Sequence, residues 1–172
     1  MKRTWELDEL SEFFTLGNKG ALLWNGKDEA GQVGLATLLK FFQYEGRFPY
    51  YPAEVPTQVV EFIAGQLGIS AEQYATYDQQ GRRSKRDRVL IREYLYFQEA
   101  SLEDLETLSR WIASHPDGLQ EIEEEYWLRV ARDYLKEHRF EPPTGEHLRR
   151  IVRSGLYQQE ENWYESTYGE AE

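Results

Sequence analysis

Six of the chain's twenty Lys and Arg residues stand between Gly81 and Tyr94: Arg82, Arg83, Lys85, Arg86, Arg88 and Arg92. The chemistry open to such a group is anion binding, and phosphate is the anion it fits best. An arginine fork can engage a phosphate, or the major-groove edge of a guanine, through two hydrogen bonds. At about 100° per residue, Lys85, Arg88 and Arg92 fall within roughly 60° of one another on a helix. Leu90, Ile91, Tyr94 and Phe97 fall elsewhere and are expected to face the core. Arg149, Arg150 and Arg153 form a candidate second basic face, and Lys40 with Arg47 a candidate third. The competing reading is a solvated cationic surface without a ligand. The chain is acidic overall, with a formal charge of −11, so any basic surface is a local feature and the far field repels nucleic acid.

Other chemistries find little to stand on. There is no Cys, which excludes disulfides, thiolate zinc sites and cysteine nucleophiles. His115, His138 and His147 sit near expected helix ends with no ligand-spaced neighbour, so no metal site is expected. No Gly-rich phosphate loop, nucleophile elbow or carboxylate pair stands out, so neither a cofactor nor a small-molecule substrate is expected. Glu123, Glu124 and Glu125 read as a solvated helix face. Phe41, Phe42, Tyr44, Phe48, Tyr50 and Tyr51 could stack bases, but the set starts on an apolar helix face, which favours core and loop anchoring. The N-terminus lacks a signal-peptide core, and no apolar run is long enough to span a bilayer. A cytoplasmic protein is expected.

The positioning elements read as helices. Leu7, Leu10, Phe13 and Phe14 stripe a first one over residues 5–17. Leu35, Leu38, Leu39 and Phe42 stripe a second over 27–44, closed by Gly46, with Lys40 off the stripe. Pro56 opens a third that ends at Gly68. Ser70 and Gln73 form a candidate capping box for a short helix through Tyr77, and Gly81 precedes the basic helix. Ser101 is expected to cap a helix striped by Leu102, Leu105, Leu108, Trp111 and Ile112. The stretch Leu119–His138, apolar on several sides, is expected to be the longest and central helix. Thr144 caps the last helix, with fraying expected after Trp163. No segment sustains strict alternation, so the expected fold is an all-α, compact multi-helix bundle of about seven helices with helix-turn-helix-like units. Residues 1–163 form the expected domain, divisible at about 1–80 and 81–163, and 164–172 an acidic, disordered tail.

Residues Leu38–Pro49, reading Leu-Leu-Lys-Phe-Phe-Gln-Tyr-Glu-Gly-Arg-Phe-Pro, followed by Glu54-Val55-Pro56, resemble the N-terminal region of the replicative transposases of the Tn-three family. Trp5-Glu6-Leu7, Asn18-Lys19, Ile91-Arg92-Glu93-Tyr94-Leu95 with Phe97, and the closing Thr144, Leu148, Arg150 and Val152-Arg153-Ser154 share the resemblance. It implies a bacterial, helical domain that binds double-stranded DNA at the terminal inverted repeats of a transposon. In that family a separate RNase H-like domain with divalent metal cuts and joins strands, so this chain is expected to bind DNA and catalyse nothing. Lys40, Arg47, Arg88 and Arg92 match the family pattern, and Lys85 and Arg86 fall where the family is basic. Gly31–Ala36 departs from it, and the acidic end after Trp163 does not resemble the family's continuation. The expected partners are transposon ends and other transposase domains or subunits. The alternatives are a helical protein-interaction or assembly module, and a truncated regulatory copy.

Overall fold

The computed structural model describes residues 1–116 and 123–169. Within them the chain is all-α, apart from one pair of two-residue strands. It forms two compact units, Met1–Tyr96 and Phe97–Glu172. The division lies beyond the basic helix, so that helix packs with the N-terminal elements.

The first unit is organised around α3, Glu29–Glu45, which follows α1 (Leu7–Phe14) and α2 (Ala21–Trp24). Asp28 caps α3 by accepting the Gly31 N–H at 2.9 Å, and Gly46 ends it in the left-handed conformation at φ 77°. Val33 to Leu39, Phe41 and Phe42 are all buried, so α3 is covered nearly all round. Within its own unit α3 is the central helix. A 3-10 turn at Pro52–Glu54 leads into α4, Thr57–Leu67. Gln58 of α4 accepts the Trp5 N–H at 2.9 Å, and Gln66 accepts the Leu16 N–H at 2.8 Å, which ties the flanks of α1 to α4. The short α5, Gln73–Thr76, has no side-chain cap, and Ser70 Oγ faces the Glu72 N–H at 3.4 Å, so the expected Ser70–Gln73 box does not form. The basic helix α6 runs from Arg82 to Leu95.

In the second unit, α7 (Leu102–Ala113) starts at Ser101, the cap read from the sequence, which forms a full capping box with Asp104. Ser101 Oγ accepts the Asp104 N–H at 3.2 Å, and Asp104 Oδ2 accepts the Ser101 N–H at 2.8 Å. Helix α8 spans Glu124–Glu137; the sequence starts it earlier, but Leu119–Ile122 lie outside the described residues. Strand β1 (Gln98–Glu99) pairs in parallel with β2 (Phe140–Glu141). The longest helix is α9, Gly145–Tyr168, capped by Thr144 Oγ1, which accepts the His147 N–H at 3.3 Å. It continues past Trp163 to Tyr168. Leu105, Leu108, Ile112, Trp127, Leu128, Ala131, Leu135, Leu148 and Val152 build the core of this unit. No helix among the described residues is long and apolar enough to cross a membrane.

Candidate nucleic-acid interface

Helix α6 buries Ser84, Asp87 and Ile91, three residues at i, i+3 and i+7. Of the expected core face only Ile91 is fully buried. Leu90 is exposed, and Tyr94 and Phe97 are only half-buried. The reason is that two of the three buried residues are polar and owe their burial to hydrogen bonds. Asp87, fully buried, accepts from Lys27 Nζ at 3.0 Å and from the Tyr77 hydroxyl at 2.8 Å. Burial, reinforced by the Asp87 carboxylate, pushes the Tyr77 hydroxyl pKa far above its ordinary value. Ser84 Oγ donates to the Gln79 carbonyl at 2.7 Å. The Tyr77 ring lies against α3 where Gly34 has no side chain; a Cβ there would sit 2.3 Å from the ring. This polar hub fixes the rotation of α6 about its own axis, and so decides which cations face solvent.

That rotation divides the basic residues of α6. Arg82, Lys85 and Arg86 are exposed and make no ion pair or hydrogen bond among the described residues. They span an arc of about 100° opposite the buried face. Arg83 is tied down: its guanidinium meets Asp28 through two hydrogen bonds of 2.9 and 3.1 Å. Asp28 thereby serves as the N-cap of α3 and the dock of α6, and the Gly31 N–H, then Arg83, hold its pKa below the ordinary carboxylate range. Arg88 and Arg92 do not join Lys85 on a free face. Both are half-buried, with guanidinium carbons 5.5 and 5.4 Å from the Phe48 ring centre, and Arg88 donates to the Gln79 carbonyl at 3.2 Å. Arg88 Nε is buried without a hydrogen-bond partner.

The other sequence candidates are mostly engaged. Lys40 is half-buried, and burial pulls its ammonium pKa down. Arg47 pairs with Glu54, donates to the Phe48 carbonyl at 3.0 Å and lies over Tyr50 at 4.3 Å. Burial would raise Glu54, but the Arg47 hydrogen bond, the Tyr50 N–H and the Arg47 charge together hold it below its ordinary pKa. In the second unit, Arg149 and Arg153 share one carboxylate, Glu124, at 3.0 and 2.7 Å. Glu124 is therefore not simply solvated, as the sequence suggested for Glu123–Glu125. Arg150 remains exposed. The aromatic set behaves as core and anchor: Phe41, Phe42 and Phe48 are buried, while Tyr50 and Tyr51 stay exposed. His138 stacks on Tyr134, and His115 packs edge-on between Trp111 and Trp127.

The start of α6 is electrostatically unusual. Its N-cap, Gly81, offers no side chain, and its first turn holds no acidic residue. Cations at the positive end of a helix are unfavourable by a few tenths to about 1 kcal/mol each. The first two turns of α6 therefore combine exposed cations with free backbone N–H groups, a combination an anion would relieve. Asp78, the carboxylate nearest Gly81, accepts the Gln80 N–H at 3.0 Å.

A family described as "Domain of unknown function (DUF4158)" matches residues 1–155. No curated protein matches the chain.

Proposed function

We propose that this chain, which belongs to the DUF4158 family, is a DNA-binding module of a transposase, one that recognises transposon terminal inverted repeats. The observation that carries the reading is the trio Arg82, Lys85 and Arg86, unpaired on the solvent face of a helix whose opposite face is pinned. In this reading the trio and the opening turn of α6 engage phosphates, and Arg88 and Arg92 stiffen the helix from beneath over Phe48. The chain contributes binding and no catalysis; strand cutting belongs to a separate metal-dependent domain.

Fluorescence anisotropy with a terminal-repeat duplex and a scrambled duplex tests it across a salt series. Binding to the repeat weakens with salt, with a slope of about −0.9 per phosphate contact. Replacing Arg82, Lys85 and Arg86 together by Ala flattens that slope by roughly 2 to 3 and leaves the unfolding midpoint nearly unchanged. Arg149→Ala with Arg153→Ala, which removes only cations already held by Glu124, leaves the slope as it was. No binding at low salt, or a triple variant that binds like the parent, overturns the assignment.

A further inference from the structure

The end of α9, residues 160–168, is exposed on every side. Tyr157, Tyr164 and Tyr168 stand at i, i+7 and i+11, with Glu160 and Glu161 between them, so they share one face. The face is about 16 Å long at 1.5 Å per residue. Tyr157, Glu160, Glu161, Tyr164 and Glu165 line a hollow of about 300 Å³ along it. Tyr164 packs on Tyr168 at 4.8 Å, and the three tyrosines keep more than half of their surface in water. No Lys or Arg follows Arg153 in the sequence, so nothing on this segment neutralises the carboxylates. The segment also lies past residue 155, where the family match ends.

A surface with tyrosine faces, flanking carboxylates and no cation of its own fits a helix that carries arginines beside small apolar side chains. Carboxylates take the guanidinium forks and the rings take their flat faces. The solvent face of α6 has that composition: Arg82, Lys85 and Arg86, then Val89 and Leu90, exposed by 48% and 38%. From Arg82 to Leu90 it measures about 12 Å, which the acidic face can cover. We propose that the tyrosine–glutamate face of α9 docks the α6 face of a second copy of the chain. The contact joins two different surfaces, one from each copy. It does not depend on DNA binding, although any anion on α6 competes with it.

Sedimentation equilibrium of the full chain, without nucleic acid, tests the inference. At low salt the average mass rises with concentration above the 20.4 kDa of one chain, and high salt returns it to that value. Reversing Glu160, Glu161 and Glu165 to Lys weakens association roughly tenfold or more, and so does reversing Arg82, Lys85 and Arg86 to Glu. Each reversed variant alone is monomeric, and an equimolar mixture of the two associates again, which a folding defect could not produce. Tyr164→Ser with Tyr168→Ser weakens association at unchanged charge. A chain that stays at 20.4 kDa at every concentration overturns the proposal. So does association indifferent to the α6 reversal, which would put another surface against α9. A mixture that fails to recover overturns it as well.

Discussion

The two units divide the charge of the chain unequally. Met1–Tyr96 carries 12 Lys and Arg against 13 Asp and Glu, a net of −1, whereas Phe97–Glu172 carries 8 against 18, a net of −10. They also use their ions differently. In the first unit the key carboxylates are turned inward or onto helix ends: Asp87 is buried beneath α6, and Asp28 caps α3. That leaves Arg82, Lys85 and Arg86 without internal partners. In the second unit Arg149 and Arg153 converge on Glu124, and the main core cluster is apolar. Its surplus is therefore negative and lies outside, most visibly on α9 past Arg153, where Glu160, Glu161 and Glu165 stand with no Lys or Arg. Total charge is thus a poor guide to what such a chain binds. What matters is which ions the fold has already matched.

Paired truncations separate a polar pin from an apolar core most sharply. Trp127→Ala removes a side chain only 1% exposed from the second unit and is expected to lower stability by about 4 kcal/mol. Asp87→Ala leaves Lys27 and the Tyr77 hydroxyl without their acceptor and costs about 3 kcal/mol. Urea unfolding gives both numbers. Hydrogen exchange should find the Asp87 defect in the Met1–Tyr96 amides; equal loss of protection in both units would erase the difference between them. A smaller effect tests the fit beneath α6. Gly34→Ala drives a methyl into the Tyr77 ring and costs about 2 kcal/mol, and most of that loss disappears when Tyr77 is already Ala. Additive losses in that cycle would mean that the ring does not press on Gly34.

Alkaline pH gives the smallest contrast. Burial holds the Tyr74 and Tyr77 hydroxyls well above their ordinary pKa, and both belong to the first unit. A raised folded-state pKa contributes stability that is fully present below the unfolded value of about 10 and is lost as pH rises beyond it. Urea midpoints followed by first-unit probes should therefore fall above pH 10. Tyr77→Phe should be less stable at neutral pH and show a shallower alkaline decline. A parent chain with no alkaline decline would contradict the buried placement of these hydroxyls.

Much of the fold can be read from the chain, because the signals are local. The stripe of α3, the closing Gly46 and Gly68, the Ser101–Asp104 box and the Thr144 cap all depend on residues a few positions apart. The fate of the cations is not local. Arg83 finds Asp28 across 55 residues, and Arg153 finds Glu124 across 29. Neither pairing leaves a periodic trace. The inner face of α6 escaped for a related reason: hydropathy marks Leu90 and Tyr94 as core, whereas the fold buries Ser84 and Asp87 through partners on other elements. Of the sequence candidates, Arg82, Lys85, Arg86 and Arg150 remain exposed without an ion pair among the described residues.

The contact of Tyr77 with Gly34 also bears on descent. A bare backbone at position 34 and an aromatic ring at position 77 form a notch and a key, 43 positions apart along the chain. The ring at 77 also serves Asp87 through its hydroxyl, but it can lie where it does only while position 34 stays bare. Related chains should therefore inherit the two together or exchange them together. A relative with a bulky residue at 34 should carry something slender at 77, and with it a differently turned α6.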